Sequence, residues 1–193
     1  MNSFAIQTDD LRFKETSETE NLTDIEFFNR RLNLIPEATR KKLREGSLHV
    51  CPYNFYSVKD CSEMSLLNIF DTKEAELGIT NVSDGRIPPD TFFLLRKIRL
   101  TTFEENSATA NLVAQQSIDC DDNTEFGEWS FKQESTVYVE NCPLSIFDLG
   151  LLNFSPKMFY PQRKIVLQLH FPKPLPKGLW IKGELIGVRT MKA

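Results

Sequence analysis

The sequence predicts a mainly β protein, an antiparallel β-sandwich with short helices near its N-terminus. Apolar and polar residues alternate in several short runs between residues 91 and 188, and this period of two is typical of half-buried strands. Proline and glycine separate the runs, whereas helical spacing is confined to the first quarter of the chain. Because strands and helices do not alternate regularly, the pattern favours two packed antiparallel sheets over a parallel α/β sheet.

We divide the 193 residues into a flexible N-terminal arm, residues 1–22, and one β-sandwich domain, residues 23–193, which begins with a helical extension over residues 23–46. The arm is rich in Thr, Ser, Glu and Asn and has only isolated apolar pairs, such as Leu11 and Phe13. So little apolar area cannot offset the entropy that is lost when the chain becomes ordered. We therefore expect the arm to be ordered only where another surface holds it.

Two helices are predicted within the extension. In the first, Thr23 is placed to be the N-cap of a capping box, and Phe28 and Leu32 recur at helical spacing. The second begins with Pro36 in its first turn and ends at Gly46. Towards its end this second helix carries a basic cluster, which consists of Arg40, Lys41, Lys42 and Arg44.

The basic cluster has two interpretations. Most simply, its cations complement the partial negative charge at the C-terminal end of their helix. Alternatively, they form an electrostatic contact to an acidic neighbour, such as the N-terminal arm of another copy. Residues 1–29 hold seven acids against two bases, and residues 156–193 hold eight bases against the single acid Glu184. The two ends are therefore expected to attract each other or the ends of a neighbouring copy.

The strongest strand signal covers residues 91–102 and follows a hard turn over residues 87–90. Apolar residues occupy both faces near its start, and basic residues replace them on one face towards its end. One end of this strand is therefore expected to be covered on both sides, and the other end on one side only. The alternation assigns Phe92, Leu94, Ile98 and Leu100 to one face and Phe93 and Leu95 to the other.

The remaining strands are predicted from the same alternation. Trp129 and Phe131 are expected to face inward, and in the next strand Val137 and Val139 share the face opposite Tyr138. By contrast, the Ala- and Gln-rich segment 107–116 is expected to form a helical excursion inside a long loop, which an acidic turn at residues 119–123 ends. The strands cover residues 47–58, 128–132, 135–140, 164–171 and 179–188, with a tight turn at 133–134 and a proline-rich connector or edge at 172–176.

Charge, hydropathy and cysteine content exclude several classes of protein. A net charge of −4 argues against a free-standing nucleic-acid binder, because neutralisation of phosphates dominates that affinity, and we expect no direct sequence-specific binding. No apolar run approaches the roughly 20 residues that span a bilayer, and the first residues lack the basic start and apolar core of a secretory signal. We therefore expect no transmembrane segment and synthesis in the cytoplasm. The four cysteines form no CxxC pair and are expected to be reduced and partly buried.

Few residues offer catalytic chemistry. His49 and His170 are the only histidines, and both lie in strand patterns. A pair of Cys51 or Cys142 with His170 is considered, but a thiol in an apolar strand more often has a packing role. His49, Cys51 and Cys61 have the ligand types of a zinc site without the spacing of one.

A run of oxygen ligands at residues 119–125 imitates the start of a calcium loop. It has Thr124 where such a loop needs glycine and Ser130 where it needs an acid, which favours a solvated turn. We therefore predict that the protein is not an enzyme and uses no catalytic residue, cofactor or metal.

Three segments resemble jelly-roll capsid proteins of icosahedral viruses, including tailless bacteriophages. They are GEWSFKQ at residues 127–133, TVYVENCPLSIF at 136–147 and WIKGELIGVR at 180–189, and the likeness covers residues 85–190. The resemblance implies a jelly-roll-like sandwich and a structural subunit of a virus particle, a coat, vertex or minor capsid protein that acts by self-assembly. Its partners would be other copies of itself, as a homo-oligomer, and other virion proteins, and its location would be the virion. The subunit-contact candidates are Arg40, Lys41, Lys42, Arg44, Trp180 and Arg189.

Two other functions are kept as alternatives. The aromatic content, with 15 Phe, four Tyr and two Trp, also suits a carbohydrate- or receptor-binding β module, such as a spike or tail component. A β-barrel isomerase or cupin-like enzyme is disfavoured, because the chain has only two histidines and no evident set of metal ligands.

Overall fold

Two antiparallel β-sheets pack face to face, and two short helices lie against the outer face of the first sheet. The computed structural model describes residues 24–105, 112–117, 127–147 and 150–193. The predicted arm, the Thr23 cap and the acidic run at 119–125 lie outside the described residues. The elements are α1 (Asp24–Asn29), α2 (Glu37–Arg44), β1 (Leu48–Asp60), β2 (Leu66–Asn68), β3 (Phe93–Glu105), β4 (Leu112–Ser117), β5 (Glu128–Gln133), β6 (Thr136–Pro143), β7 (Leu151–Phe159), β8 (Ile165–His170) and β9 (Leu179–Lys192).

The first sheet has the order β1-β9-β3, and two strands share the remaining edge of β3. β7 pairs with β3 from Phe93 to Arg99, and β4 pairs with it from Thr101 to Glu105. The second sheet has the order β2-β8-β5-β6. Every pairing is antiparallel, so the predicted mainly β fold with two antiparallel sheets is confirmed.

The strand pairs are nested along the chain. The outermost pair, β1 with β9, lies in the first sheet, and the next pair, β2 with β8, lies in the second. The pair β3 with β7 returns to the first sheet, and the innermost pair, β5 with β6, returns to the second. The chain therefore follows the path of one long hairpin that wraps around the core, and β4 is an addition outside this nesting.

Both predicted helices are present. α1 ends at Asn29, earlier than its spacing predicts, and Leu32 begins a short 3-10 turn. Pro36 immediately precedes α2, and Gly46 follows it with a φ of 74°, a left-handed conformation that glycine adopts without strain. None of the helices in the described ranges has both the length and the apolar character that a membrane-spanning helix needs.

Aromatic side chains dominate the core between the sheets. The rings of Trp129 and Phe147 meet edge to face with centroids 5.1 Å apart, and those of Phe131 and Phe154 do so at 5.6 Å. Trp129 and Phe131 are both buried, which confirms their predicted inward orientation. β8 contributes every second residue to the same core, and the chain just after it adds one more, as predicted, namely Ile165, Leu167, Leu169 and Phe171.

A second apolar cluster covers part of the first sheet's outer face. Its buried members are Phe28, Ile35, Leu94, Met158 and Val188, which come from the helical segment, β3, β7 and β9. Leu94 faces this outer cluster, whereas its neighbours on either side along β3 face the inter-sheet core. The prediction that the start of this strand is covered on both sides is therefore confirmed.

A β-bulge at Arg96 changes which residues of β3 face the core. The register of β3 shifts by one residue against β9 at this point, and it also shifts against β7. Because the side-chain alternation restarts after a bulge, Ile98 and Leu100 face the inter-sheet core together with Phe93. The prediction that Ile98 and Leu100 share a face with Leu94 is wrong for this reason.

The predicted hairpin between β5 and β6 is present, and a bulge alters its faces as well. Its turn contains Glu134, whose φ is 51°. Phe131 pairs with Val139, and the next residue of β5 pairs with Val137, so Tyr138 is an extra residue in β6. As a result Tyr138 is half-buried and packs on Phe131, while Val137 is 53% exposed. The predicted opposition of Val137 and Val139 to Tyr138 is therefore wrong.

Residues 112–117 form β4, and the helix predicted over residues 107–116 is contradicted there. Residues 106–111 lie outside the described part of the chain. β3 extends beyond its pairing with β7, and the backbone groups along that free edge need hydrogen-bond partners. This pairing outweighs the intrinsic helical preference of alanine and glutamine, which tertiary context commonly overrides.

Two backbone features near the C-terminus follow from the sequence, and the second confirms the predicted proline-rich connector. A Cβ atom at Gly187 would lie 2.1 Å from the carbonyl oxygen of Leu94, so the close approach of β9 to β3 requires glycine. Residues 172–176 form a connector that includes no strand residue. Its Leu175 is buried, and the backbone amide of Leu175 donates to the carbonyl of Met64 at 3.0 Å.

Candidate functional site: a groove between the helices and the first strand

A groove of about 600 Å³ lies between α1, α2 and the start of β1. Its apolar lining comes from α1, the 3-10 turn, α2 and β1. Leu43 of α2 and Val50 of β1 are only half-buried, so part of this apolar surface remains accessible to solvent. The apolar lining residues are Phe28, Leu32, Leu43, Leu48 and Val50.

Polar and charged groups line the groove beside this apolar surface. They belong to Asn29 of α1, to Glu37, Arg40 and Arg44 of α2, and to His49 of β1. Arg40 and Arg44 are thus the two members of the predicted basic cluster that reach the groove. The other two members, Lys41 and Lys42, are exposed on the same helix and do not line it.

Glu37 partly neutralises the rim. Its carboxylate lies 2.7 Å from a guanidinium nitrogen of Arg40 and also pairs with Arg44. Elsewhere on the helix, Lys41 lies 3.8 Å from Glu45. These pairs are exposed, so each contributes little to stability and can exchange for a carboxylate from another chain. The cluster of four cations is opposed by two acids, which leaves α2 with a net positive charge.

The other two subunit-contact candidates lie away from the groove and from each other. Trp180 and Arg189 both belong to β9, nine residues apart, which corresponds to about 30 Å along a strand. The structure therefore does not bring the six candidate residues into one site.

Arg189 is held by an aromatic neighbour. Its guanidinium carbon lies 3.5 Å from the centre of the Tyr53 ring, a cation–π contact. The Tyr53 hydroxyl in turn accepts a hydrogen bond of 3.1 Å from the side-chain amide of Asn81. Arg189 is half-buried, so these contacts give it a role in joining β9 to β1 and to the loop around Asn81.

Trp180 lies on the outer face of the first sheet, opposite Phe103 of β3 in the register. It is half-buried, and its indole nitrogen is buried without a hydrogen-bond partner in the described part of the chain. Farther along the same face, Glu184 lies 2.9 Å from Lys182 and 3.7 Å from Arg99. Trp180 therefore belongs to a mixed apolar and charged wall rather than to a pocket.

The cysteines and histidines do not converge. Burial, with a smaller contribution from the charge of Asp60, raises the pKa of the Cys61 thiol to about 12, and its Sγ donates to the carbonyl of Leu179 at 3.0 Å. Cys142 packs on the core side of the second sheet, and burial raises its pKa. His170 lies exposed on the outer face of that sheet, so the considered Cys142–His170 pair is separated by the sheet.

The considered zinc ligands are also apart, because His49 and Cys61 lie at opposite ends of β1. Cys51, Cys61 and Cys142 are free cysteines. Where the chain is described, no group of three or more His, Cys, Asp or Glu side chains is arranged to hold a metal ion. The calcium-like run at 119–125 lies outside those residues.

Sequence reasoning identified the basic cluster but not the apolar half of the groove. The spacing of Phe28 and Leu32 and the alternation of Leu48 and Val50 were visible, but their meeting requires the docking of the helices on the sheet. Glu37 was detectable as an i, i+3 partner of Arg40 and was missed. No protein-family model matches the sequence. A search of curated proteins also finds no match.

Proposed function

We propose that the protein is a structural subunit of a virus particle, a coat, vertex or minor capsid protein, and that its sandwich is a jelly roll. The nested strand pairs support the jelly roll, because a jelly roll is a long antiparallel hairpin wrapped so that successive pairs alternate between two sheets. Without β4, each sheet has four strands, which is the number such a wrapping requires.

The groove between the helices and β1 is the main observation that supports self-association as the way in which the protein acts. It combines an apolar floor with a basic rim, and residues 1–22 have the complementary composition. They hold five acids against two bases, together with the apolar pairs Phe4/Ile6 and Leu11/Phe13. We therefore assign residues 1–22 of a neighbouring copy as the occupant of the groove.

This arrangement suits assembly for a geometric reason. A contact between the arm of one copy and the groove of the next joins two different surfaces, so the same contact repeats from copy to copy and closes into a ring when the rotation permits. Under this proposal, the entropy cost of ordering the arm is met by its binding in the groove, which couples that ordering to assembly. Folding of the sandwich itself does not depend on that contact.

Mass measurement of the full chain by light scattering tests the proposal. We expect oligomers or larger particles, and we expect deletion of residues 1–22 to reduce the assembled mass without lowering the thermal unfolding midpoint. The double variant Arg40→Ala/Arg44→Ala should have the same effect, because both side chains line the groove.

The matched control is Lys41→Ala/Lys42→Ala, which removes the same charge from the same helix outside the groove. It should assemble as the wild type does. Equal loss of assembly in both double variants would show that net charge, rather than the groove, drives association. A strictly monomeric full chain would refute the proposal altogether.

A further inference from the structure

A polar depression of about 210 Å³ lies on the outer face of the second sheet, whereas the groove lies against the first sheet. Glu128 and Ser130 of β5 lie directly across from His170 and Gln168 of β8 in the strand register. Their neighbours along the strands, such as Trp129, are buried in the core, so the four polar side chains belong to the solvent side. Strand register therefore gathers residues from positions 128 to 170 into one patch.

A bulge and a short edge strand give this patch its concave shape. On one side β6 has one extra residue opposite Ser130, and Asn141 adopts a left-handed φ of 49° there. The Asn141 backbone amide donates to the Ser130 hydroxyl at 3.0 Å, which fixes the bulge. On the other side Leu66 of the three-residue strand β2 is 60% exposed and forms an apolar wall. The depression is thus built into the backbone.

Three polar side chains of the depression are unpaired in the described part of the chain, whereas Ser130 and Asn141 bond to each other. Within the described residues, the side chains of Glu128, Gln168 and His170 make no hydrogen bond or ion pair, although Glu128 and Gln168 are half-buried. On the same face, the amide oxygen of Asn68 is buried and unpartnered, and Asn68 is the register partner of Gln168. Comparable carboxylates elsewhere are paired, as Glu184 is with Lys182. Unpaired groups of this kind retain their hydrogen-bonding capacity for a ligand.

The chemistry of these groups selects a ligand class. A carboxylate accepts hydrogen bonds, an amide donates and accepts, and an imidazole does both, so the depression offers donors and acceptors in close alternation. One carboxylate without a basic cluster suits neither a phosphate nor a metal ion. A neutral ligand with adjacent hydroxyl groups and an apolar face matches both the polar groups and the Leu66 wall. The volume of about 210 Å³ admits one small ring.

We propose that this depression is a carbohydrate-binding site, in which Glu128, Gln168 and His170 bind the hydroxyl groups of one sugar residue and Leu66 packs against its ring. The site lies on a different sheet from the groove, and it does not depend on the protein being a particle subunit. If both proposals hold, the same subunit carries a glycan contact on a face that the arm-in-groove contact leaves free.

A glycan array with the full chain, followed by saturation-transfer NMR with galactose, mannose and N-acetylglucosamine, tests the site. We expect binding to at least one neutral sugar. Glu128→Gln and Gln168→Ala should each weaken that binding at least tenfold, because each takes away a protein group that hydrogen-bonds to the sugar. The first replaces a charged acceptor by a neutral amide, and the second removes an amide. Both side chains lie on the solvent side, so the thermal midpoint should stay close to that of the wild type.

Lys132→Ala is the matched control, since Lys132 is a half-buried polar residue of β5 that does not line the depression. It should bind as the wild type does. Absence of binding to every neutral glycan would overturn the proposal, and so would binding that survives in both variants. Binding confined to anionic sugars would also contradict it, because the depression has no basic group beyond His170. None of these outcomes bears on the assembled mass, so the two proposals fail independently.

Discussion

At the scale of single residues, the ion pairs of Asp84 show how charge joins distant segments. Its carboxylate accepts hydrogen bonds of 3.1 Å from Lys164, eighty positions away, and of 3.1 Å from Arg86. These two contacts, with Lys164 the larger cause, hold the pKa of Asp84 below its usual value of 3.8. A lowered pKa in the folded state means that the ionised carboxylate stabilises the fold. That contribution is fully present above the unfolded value and is lost as the pH falls through the folded value.

We therefore predict that Asp84→Asn lowers the urea midpoint at pH 7 and that its difference from the wild type shrinks as the pH falls below about 4. The difference will be small, because Asp84 is an exposed group in a surface network. Urea unfolding of both proteins at several pH values between 7 and 3 measures it.

Glu74→Gln provides the control for this series, because Glu74 is exposed and has no ion pair in the part of the chain that the structure describes. It removes one negative charge without breaking a contact and should leave the midpoint almost unchanged at every pH. A difference for Asp84→Asn that stays constant down to pH 3 would assign the effect to something other than the carboxylate charge.

At the scale of elements, β9 depends on the absence of a side chain at Gly187. This strand lies between β1 and β3, and the position of Gly187 brings it against the carbonyl of Leu94. We predict that Gly187→Ala destabilises the protein by about 3 kcal/mol, because the added methyl group forces the two strands apart. Chemical unfolding of the purified variant measures its free energy of unfolding, and a variant that does not fold at all would agree with the prediction.

Gly78→Ala separates this effect from the ordinary cost of replacing a glycine. Gly78 has a φ of 84° and no atom within 4 Å of an added Cβ, so only the left-handed backbone is penalised. That penalty is about 1 kcal/mol. If Gly78→Ala proves as damaging as Gly187→Ala, close approach between β3 and β9 is not the cause.

The strands show how far sequence reasoning reaches. Period-two alternation predicted β1, β3, β5, β6, β8 and β9, because burial on one face imposes it directly on the sequence, but it did not predict β2 or β7. It failed where a bulge adds one residue, as at Arg96 in β3 and Tyr138 in β6, because nothing in the local composition marks the insertion. It also failed at β4, whose formation depends on a free edge supplied by another strand. Local pattern thus predicts elements, and long-range pairing decides their faces.

The candidate sites were less accessible to sequence reasoning than the strands, for the same reason. The basic cluster was visible because its members are adjacent in the chain. The polar depression was not, because Glu128 and His170 become neighbours only through the register of β5 and β8. Taken singly, each of these residues is an ordinary polar residue on a strand, and nothing in the sequence marks it as part of a binding site. A site whose residues come together only through strand pairing can be predicted only when the strand order and register are known.

At the scale of the whole molecule, the described residues form two apolar clusters on opposite sides of the first sheet. The large one lies between the sheets, and the small one joins the helical segment to the outer face through Phe28 and Ile35. Because the nested strand pairs close without the helices, the helical segment is an attachment to the sandwich rather than part of its closure. The groove that we assign to a neighbour's arm exists only while the helices are attached.

This organisation predicts separate opening of the helical segment, since regions held by few contacts open without global unfolding. Phe28→Ala should remove about 3 kcal/mol from the attachment and speed hydrogen exchange of the α1 and α2 amides on the order of 100-fold. Amides of β8, such as that of Leu167, should keep their protection.

Phe131→Ala, in the core between the sheets, should instead speed exchange in β8 and the helices together. Native-state hydrogen exchange followed by mass spectrometry measures both variants. Equal acceleration in β8 after Phe28→Ala would mean that the helices and the sandwich unfold as one unit, and assembly would then be inseparable from folding.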